Sequence, residues 1–346
     1  MKVFWIILIS LFAFCLLLSF FLYLIIFFRG KKKTPPPEPI RGKDFDPYAE
    51  QMRGVIKAAV SIPFEEVTVR SREGILLYGR LYVTRPGRPF HLQFNGYRSS
   101  GIRDFAGGLR MALDLGDNVL LVDQRAHGQS GGHTISFGVR ERFDVLTWCR
   151  FLLERFGLGT PLYVEGISMG GATVLFAAGE DLPPEVRGIF ADCPFSDPVQ
   201  IISDVMRKLI GFSRPLLPFV SLGALLFGHF RLSSIRATDT VKRTRVPIQI
   251  VHGTADNFVP CSMSRDVRDA NPDSVSLFEV EGAPHGLSFL VDAEGYRRTF
   301  RSFLEAAGHP DFTAKSQAPQ KPSVWGPTSA QSVKSSNPTA EKELSI

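Results

Sequence analysis

Three residues of this 346-residue chain have the types and order needed to activate a hydroxyl for attack on a carbonyl: Ser168, Asp256 and His285. Ser168 lies in Gly166-Ile167-Ser168-Met169-Gly170-Gly171 and Asp256 closes His252-Gly253-Thr254-Ala255-Asp256. His285 stands in Glu281-Gly282-Ala283-Pro284-His285-Gly286. A serine is a poor nucleophile until an imidazole takes its proton, and a buried carboxylate can hold that imidazole in the useful tautomer. G-x-S-x-G between a strand and a helix is the tight turn that exposes such a serine, and glycines are needed where side chains would collide with either element. The acid and then the base are expected later in the chain, each in a loop after a strand. Asp192 remains the alternative acid, whereas Asp123 precedes the serine and is out of order. His127, within Asp123–Ser130, reads as a loop brace, and His252 reads as packing at a strand end.

Those loops need a scaffold, and the middle of the chain supplies an alternation of short apolar runs with amphipathic stretches. Candidate strands are Glu66–Val69, Ile75–Val83, Phe90–Phe94, Asn118–Val122, Leu162–Glu165, Gly188–Ala191, Ile248–Val251 and Ser276–Val280. Candidate helices are Ile102–Leu115, Val139–Phe156, Gly170–Gly179 and Leu290–Ala307. The first two strands can pair antiparallel. The rest predict an α/β fold, a mostly parallel eight-stranded sheet with helices on both faces. In such sheets functional residues gather at the carboxyl ends of strands. An insert of about Pro194–Thr244 follows the sixth strand. Its apolar middle, Leu209–Phe230, reads either as a helical cap burying its face on the sheet or as a lid receiving an acyl chain.

The two ends differ from this middle. Val3–Phe28 carries no charge, and as a helix it measures roughly 35–40 Å, enough to cross a bilayer. Signal peptides have apolar cores of about 7–15 residues, so an uncleaved single-pass anchor is expected over residues 3–28. Only Lys2 and the amino terminus precede it, whereas Arg29, Lys31, Lys32 and Lys33 follow, which predicts a cytoplasmic domain on a cell membrane. Residues 29–59, with Pro35, Pro36, Pro37 and Pro39, are expected to form a basic, stiff stalk. Residues 60–307 would be the folded domain, and 308–346, rich in Ser, Pro, Lys and Gln, a disordered tail. The net charge of +6 is concentrated beside the apolar run, where it suits anionic lipid. With no nucleic-acid motif beside it, a membrane is the expected partner and nucleic acid is not. Cys15, Cys149, Cys193 and Cys261 lack the spacing of a disulfide framework or metal site, and no metal or organic cofactor is expected.

Together, the D-x-R-x-H-G-x-S loop at Asp123–Ser130, GISMGG at Gly166–Gly171, HGTAD at His252–Asp256 and the Pro284-His285-Gly286 turn resemble the α/β-hydrolase superfamily. The likeness covers about residues 60–307. It is strongest to bacterial single-domain serine hydrolases related to acyl esterases and to the catalytic domains of prolyl-oligopeptidase-type peptidases. The resemblance implies Ser168, Asp256 and His285 as a triad working through an acyl-enzyme. Family members usually carry His-Gly after the third strand, where this chain has Phe94-Asn95-Gly96-Tyr97-Arg98. The glycine is kept, so the backbone N–H groups of Tyr97 and Met169 are the expected oxyanion hole. The expected reaction is hydrolysis of a small-molecule carboxylic ester or lipid-like substrate with a lipophilic acyl part. A peptidase or amidase would use the same triad, and a non-catalytic scaffold would be expected to lack one of its members.

Overall fold

The computed structural model describes residues 1–30 and 37–313. Eight strands form one sheet: β1 (Glu65–Arg70), β2 (Leu76–Tyr82), β3 (Phe90–Phe94), β4 (Asn118–Asp123), β5 (Leu162–Ile167), β6 (Val186–Asp192), β7 (Ile248–Gly253) and β8 (Val275–Val280). Their spatial order is β1-β2-β4-β3-β5-β6-β7-β8. β1 with β2 and β2 with β4 are antiparallel, and the other pairings are parallel. All five residues of β3 are buried, as expected of a strand covered on both faces.

The helices of the amino-terminal half are α1 (Lys2–Ile26), α2 (Ala49–Val60), α3 (Gly101–Asp104), α4 (Ala106–Asp114), α5 (Glu141–Phe156) and α6 (Met169–Ala177). Those that follow are α7 (Pro198–Ile210), α8 (Leu217–Leu226), α9 (Ala237–Thr240), α10 (Ser262–Ala270), α11 (Ser288–Val291), α12 (Ala293–Ala306) and α13 (Pro310–Thr313). One face of the sheet buries Trp148 and Leu152 of α5 and Phe176 of α6. The other buries Ile56 of α2, Leu109 of α4, and Phe300 and Phe303 of α12. Two expected single helices are each split in two. Phe105, at φ −106° and ψ 15°, separates α3 from α4. Asp292 ends α11 and caps α12 by accepting the Gly295 N–H at 2.8 Å, the usual service of an N-cap aspartate.

Three expectations about the chain's periphery need correction. The stalk does not run to residue 59: a turn at Asp46–Tyr48 leads into α2, whose Ile56 and Ala59 are buried against α4. Lys31–Pro36 lie outside the described residues. Nor does the tail begin at 308, because His309 is buried with Nε2 2.8 Å from Asp117 Oδ2 and Asp311 pairs with Arg88 at 2.6 Å. Composition averaged over a long polar stretch hides such a short docked segment. Residues 314–346 lie outside the described residues.

The third correction concerns the insert. α8 packs along the carboxyl-terminal third of α1. Gly223 sits so close to the Ser19 carbonyl that a Cβ would overlap it, and the Phe20 and Phe227 rings meet edge-on at 4.9 Å. Neither a cap lying only on the sheet nor a free acyl lid describes this arrangement. Beyond α1 the chain is stitched to the body. Phe27 is fully buried against Phe137 and Phe230, and its carbonyl accepts the Ile135 N–H at 2.8 Å. Phe28 bridges Thr134, and Arg29 N–H donates to the His133 carbonyl at 2.8 Å.

Candidate active site

The turn between β5 and α6 holds Ser168 at φ 55° and ψ −116°, a backbone state rarely open to side chains that costs on the order of 1–3 kcal/mol. The surrounding contacts force it. A Cβ on Gly166 would overlap the backbone of Gly170, and one on Gly170 would overlap the Phe94 carbonyl of β3. The Ser168 N–H donates to the Asp192 carbonyl at 2.8 Å, tying the turn to β6. The hydroxyl is thereby presented at the carboxyl edge of the sheet.

His285, in the loop after β8, places Nε2 2.9 Å from Ser168 Oγ and Nδ1 2.6 Å from Asp256 Oδ2. Asp256, after β7, accepts the N–H groups of Phe258 at 2.7 Å and Val259 at 2.8 Å on its other oxygen. Burial alone would raise the Asp256 pKa, but hydrogen bonds and charge from His252 and His285 hold it well below the usual carboxylate range. The group is thus an anion, acceptor-only, and it fixes His285 with a proton on Nδ1 and a lone pair toward the serine. This arrangement can draw a proton from Ser168 Oγ as that oxygen attacks.

The alternatives sit elsewhere. Asp192 accepts the Tyr296 hydroxyl at 3.0 Å rather than His285, and burial pushes its pKa up to about 6. His127 Nδ1 lies 2.9 Å from the Arg125 carbonyl, so it carries the proton, and Nε2 accepts the Arg98 N–H at 2.9 Å. That fixed neutral tautomer braces the loop after β3, in keeping with its reading as a brace. His252 is more than packing: fully buried, it places Nε2 3.2 Å from Asp256 Oδ2 and 3.0 Å from the Val259 carbonyl. The four-residue spacing in HGTAD is the sequence signal that could have shown it. Cys193, at the end of β6, lies with Sγ 3.9 Å from His285 Nε2, and burial raises its thiol pKa well above the ordinary value.

Beside the serine, Met169 begins α6, so its N–H is one of the unpaired donors of a helix amino terminus. Tyr97 lines the same cleft as Ser168. Asn95 is buried, its Oδ1 accepting the Gln124 N–H at 3.1 Å and its amide donating to the Gly96 carbonyl at 2.8 Å. The neighbouring Gly96 N–H is taken by Asp104 at 2.8 Å. Tyr97 and Arg98 also reach back to the apolar helix. The Tyr97 hydroxyl donates to the Ile26 carbonyl at 2.8 Å, and Arg98 donates to those of Ile25 at 2.7 Å and Phe28 at 3.1 Å. These groups satisfy carbonyls that a helix end leaves open.

A cleft of about 400 Å³ opens over Ser168 and His285, walled by Ile40, Phe45, Met52, Tyr97 and Phe258 among others. Residues 40–52, expected to be stalk, form part of its rim, and no residue of the insert at 194–244 lines it.

Residues 101–214 match the family described as alpha/beta hydrolase fold. The esterase Pf2001 of Pyrococcus furiosus superposes with a TM-score of 0.59 at 22% identity, covering 80% of this chain and 98% of its own. The chain has the α/β-hydrolase fold. Est1E of Butyrivibrio proteoclasticus, solved with ferulic acid bound, shares that fold with a TM-score of 0.54 at 19% identity over 69% of this chain and 99% of its own. An uncharacterized Bacillus subtilis protein, YqkD, is 29% identical over 198 residues, which are 57% of this chain. The match spans 65% of that curated relative's length. Within the α/β-hydrolase fold, Ser168, Asp256 and His285 occupy the loops after β5, β7 and β8.

Proposed function

We propose that the protein is a serine hydrolase of carboxylic esters, with Ser168 as nucleophile, His285 as general base and Asp256 as the orienting acid. The observation that carries this reading is the unbroken hydrogen-bonded series from Asp256 through His285 to a strained, cleft-facing Ser168. Ser168 Oγ attacks the ester carbonyl while its proton passes to His285 Nε2. The N–H groups of Tyr97 and Met169 are assigned to the oxyanion, each such donor being worth about 10²–10³-fold in rate. His285 then protonates the leaving alkoxide, and water, activated by the same imidazole, releases the acid from the acyl-enzyme.

The esterase neighbours support ester over amide chemistry at the level of fold. The apolar walls of Ile40, Phe45, Met52 and Phe258 favour a lipophilic acyl group. The apolar helix α1, long enough to cross a membrane and mostly exposed, is read as an uncleaved single-pass anchor, with the hydrolase body on the cytoplasmic side.

A fluorophosphonate probe tests the enzyme reading. The folded wild type should label and Ser168→Ala should not, and a folded wild type that fails to label overturns the proposal. A panel of esters of graded acyl length tests the substrate. Turnover confined to acetyl esters would leave the hydrolase and sink the lipophilic reading.

A further inference from the structure

α1 is joined to the body at one end, and its free part is too short to cross a bilayer by itself. The helix has one face committed to protein from Ser19 onward, where Ser19, Leu22 and Tyr23 are buried. The segment from Lys2 to Leu18 measures about 25 Å at 1.5 Å per residue, whereas a hydrocarbon core is about 30 Å thick. Past Ser19 the opposite face stays apolar and open: Phe20, Phe21, Leu24 and Ile25 are all exposed. To bury these residues, the membrane must extend beside the part of α1 that α8 already covers.

α8 is built for the same environment. Its ten residues, Leu217–Leu226, carry no charge and form a short apolar helix. Val220, Gly223 and Ala224 are buried, while Leu225 and Leu226 point outward at 48% and 42% exposure. The end of α7 and the following turn add Leu209, Ile210 and Phe212, also exposed. Exposed Lys208 and Arg214 flank this set in the chain. Apolar side chains bordered by basic ones suit the boundary between acyl chains and anionic headgroups.

Resting on the anchor reading of α1, we propose that α8 and the end of α7 form a second membrane element, seated in the near leaflet of the lipid bilayer beside α1. The bilayer covers Leu209, Ile210, Phe212, Leu225 and Leu226, and the insert after β6 serves to set the depth of the hydrolase body. This gives the insert a role apart from lining the Ser168 cleft, which it does not do.

Full-length protein in vesicles of phosphatidylcholine and phosphatidylglycerol, with and without brominated acyl chains, tests this. Single tryptophans are introduced as Phe14→Trp in α1, Leu226→Trp in α8 and Leu158→Trp in the exposed loop before β5, at the amino edge of the sheet. The background carries Trp5→Phe and Trp325→Phe, with buried Trp148 as a constant. Brominated lipid should quench the first two and leave Leu158→Trp unchanged. Quenching of Phe14→Trp without Leu226→Trp overturns the inference and leaves the anchor standing. If neither is quenched, the anchor reading fails and the inference with it. Leu226→Trp unquenched by lipid yet shielded from aqueous acrylamide would mean that a second copy covers the patch, which also overturns it.

Discussion

At Ser168 the chain accepts a costly backbone state because three neighbours leave no alternative. This part of the site is legible in the sequence, since only glycine avoids overlap at 166 and 170. Asp256 and His285 are readable from their order and from the strands before them. The role of His252 is less plain: the four-residue spacing in HGTAD hints at it, but proximity to Asp256 depends on how the loop after β7 folds back on itself. Replacing Asp256 with Asn should lower kcat by about 10⁴-fold, as the imidazole loses the partner that fixes its tautomer. Circular dichroism and ester turnover, measured together, check that the loss is chemical. Asp256 also ties stability to pH. Its folded pKa lies below the unfolded value of about 3.9, so its contribution is present above that pH and disappears as acid titrates the folded group. Asp256→Asn should therefore flatten part of the acid limb of a melting curve against pH.

Among the elements, the strands are legible within a residue or two, because runs such as Gly188–Ala191 are apolar, short and bounded by turns. The splits at Phe105 and Asp292 are not, since the amphipathic pattern continues across both breaks. Nor is the docked end at His309, whose partner Asp117 is far away in sequence. There, buried His91 of β3 lies between Glu165 and Asp117, with Nε2 3.1 Å from Asp117 Oδ2; burial would lower its pKa, but the two carboxylates outweigh it and raise it from 6.5 to about 9. A raised folded pKa stabilises fully below the unfolded value and ceases to do so as pH climbs through the folded one. The melting temperature should accordingly decline between pH 6.5 and about 9, and His91→Gln should remove that decline. The contact of α1 with the loop after β3 carries a different expectation. Tyr97→Phe removes one hydrogen bond, costing about 1 kcal/mol, and loosens a loop assigned to the oxyanion. It should lower kcat more than it raises KM in steady-state ester assays.

For the whole molecule, the largest departure from the sequence reading is that the apolar amino-terminal run is not a separate module. Hydropathy describes a segment's affinity for lipid and is silent on which of its side chains another helix will claim. Phe27 is the measure of this, being as buried as the sheet's own core. Phe27→Ala should destabilise the protein by about 3–5 kcal/mol, read from the denaturation midpoint of the full chain in detergent. A run removed by a signal peptidase would show no such effect. The stitching of Phe28 and Arg29 to residues 133 and 134 has a further consequence if α1 stays in the membrane. A flexible leash would let a catalytic body tumble and sweep a hemisphere of solution. With the joint closed at both residues, the cleft is held at one bearing to the bilayer plane. For a substrate dissolved in the bilayer, turnover would then follow its density per unit area of membrane more closely than its bulk concentration.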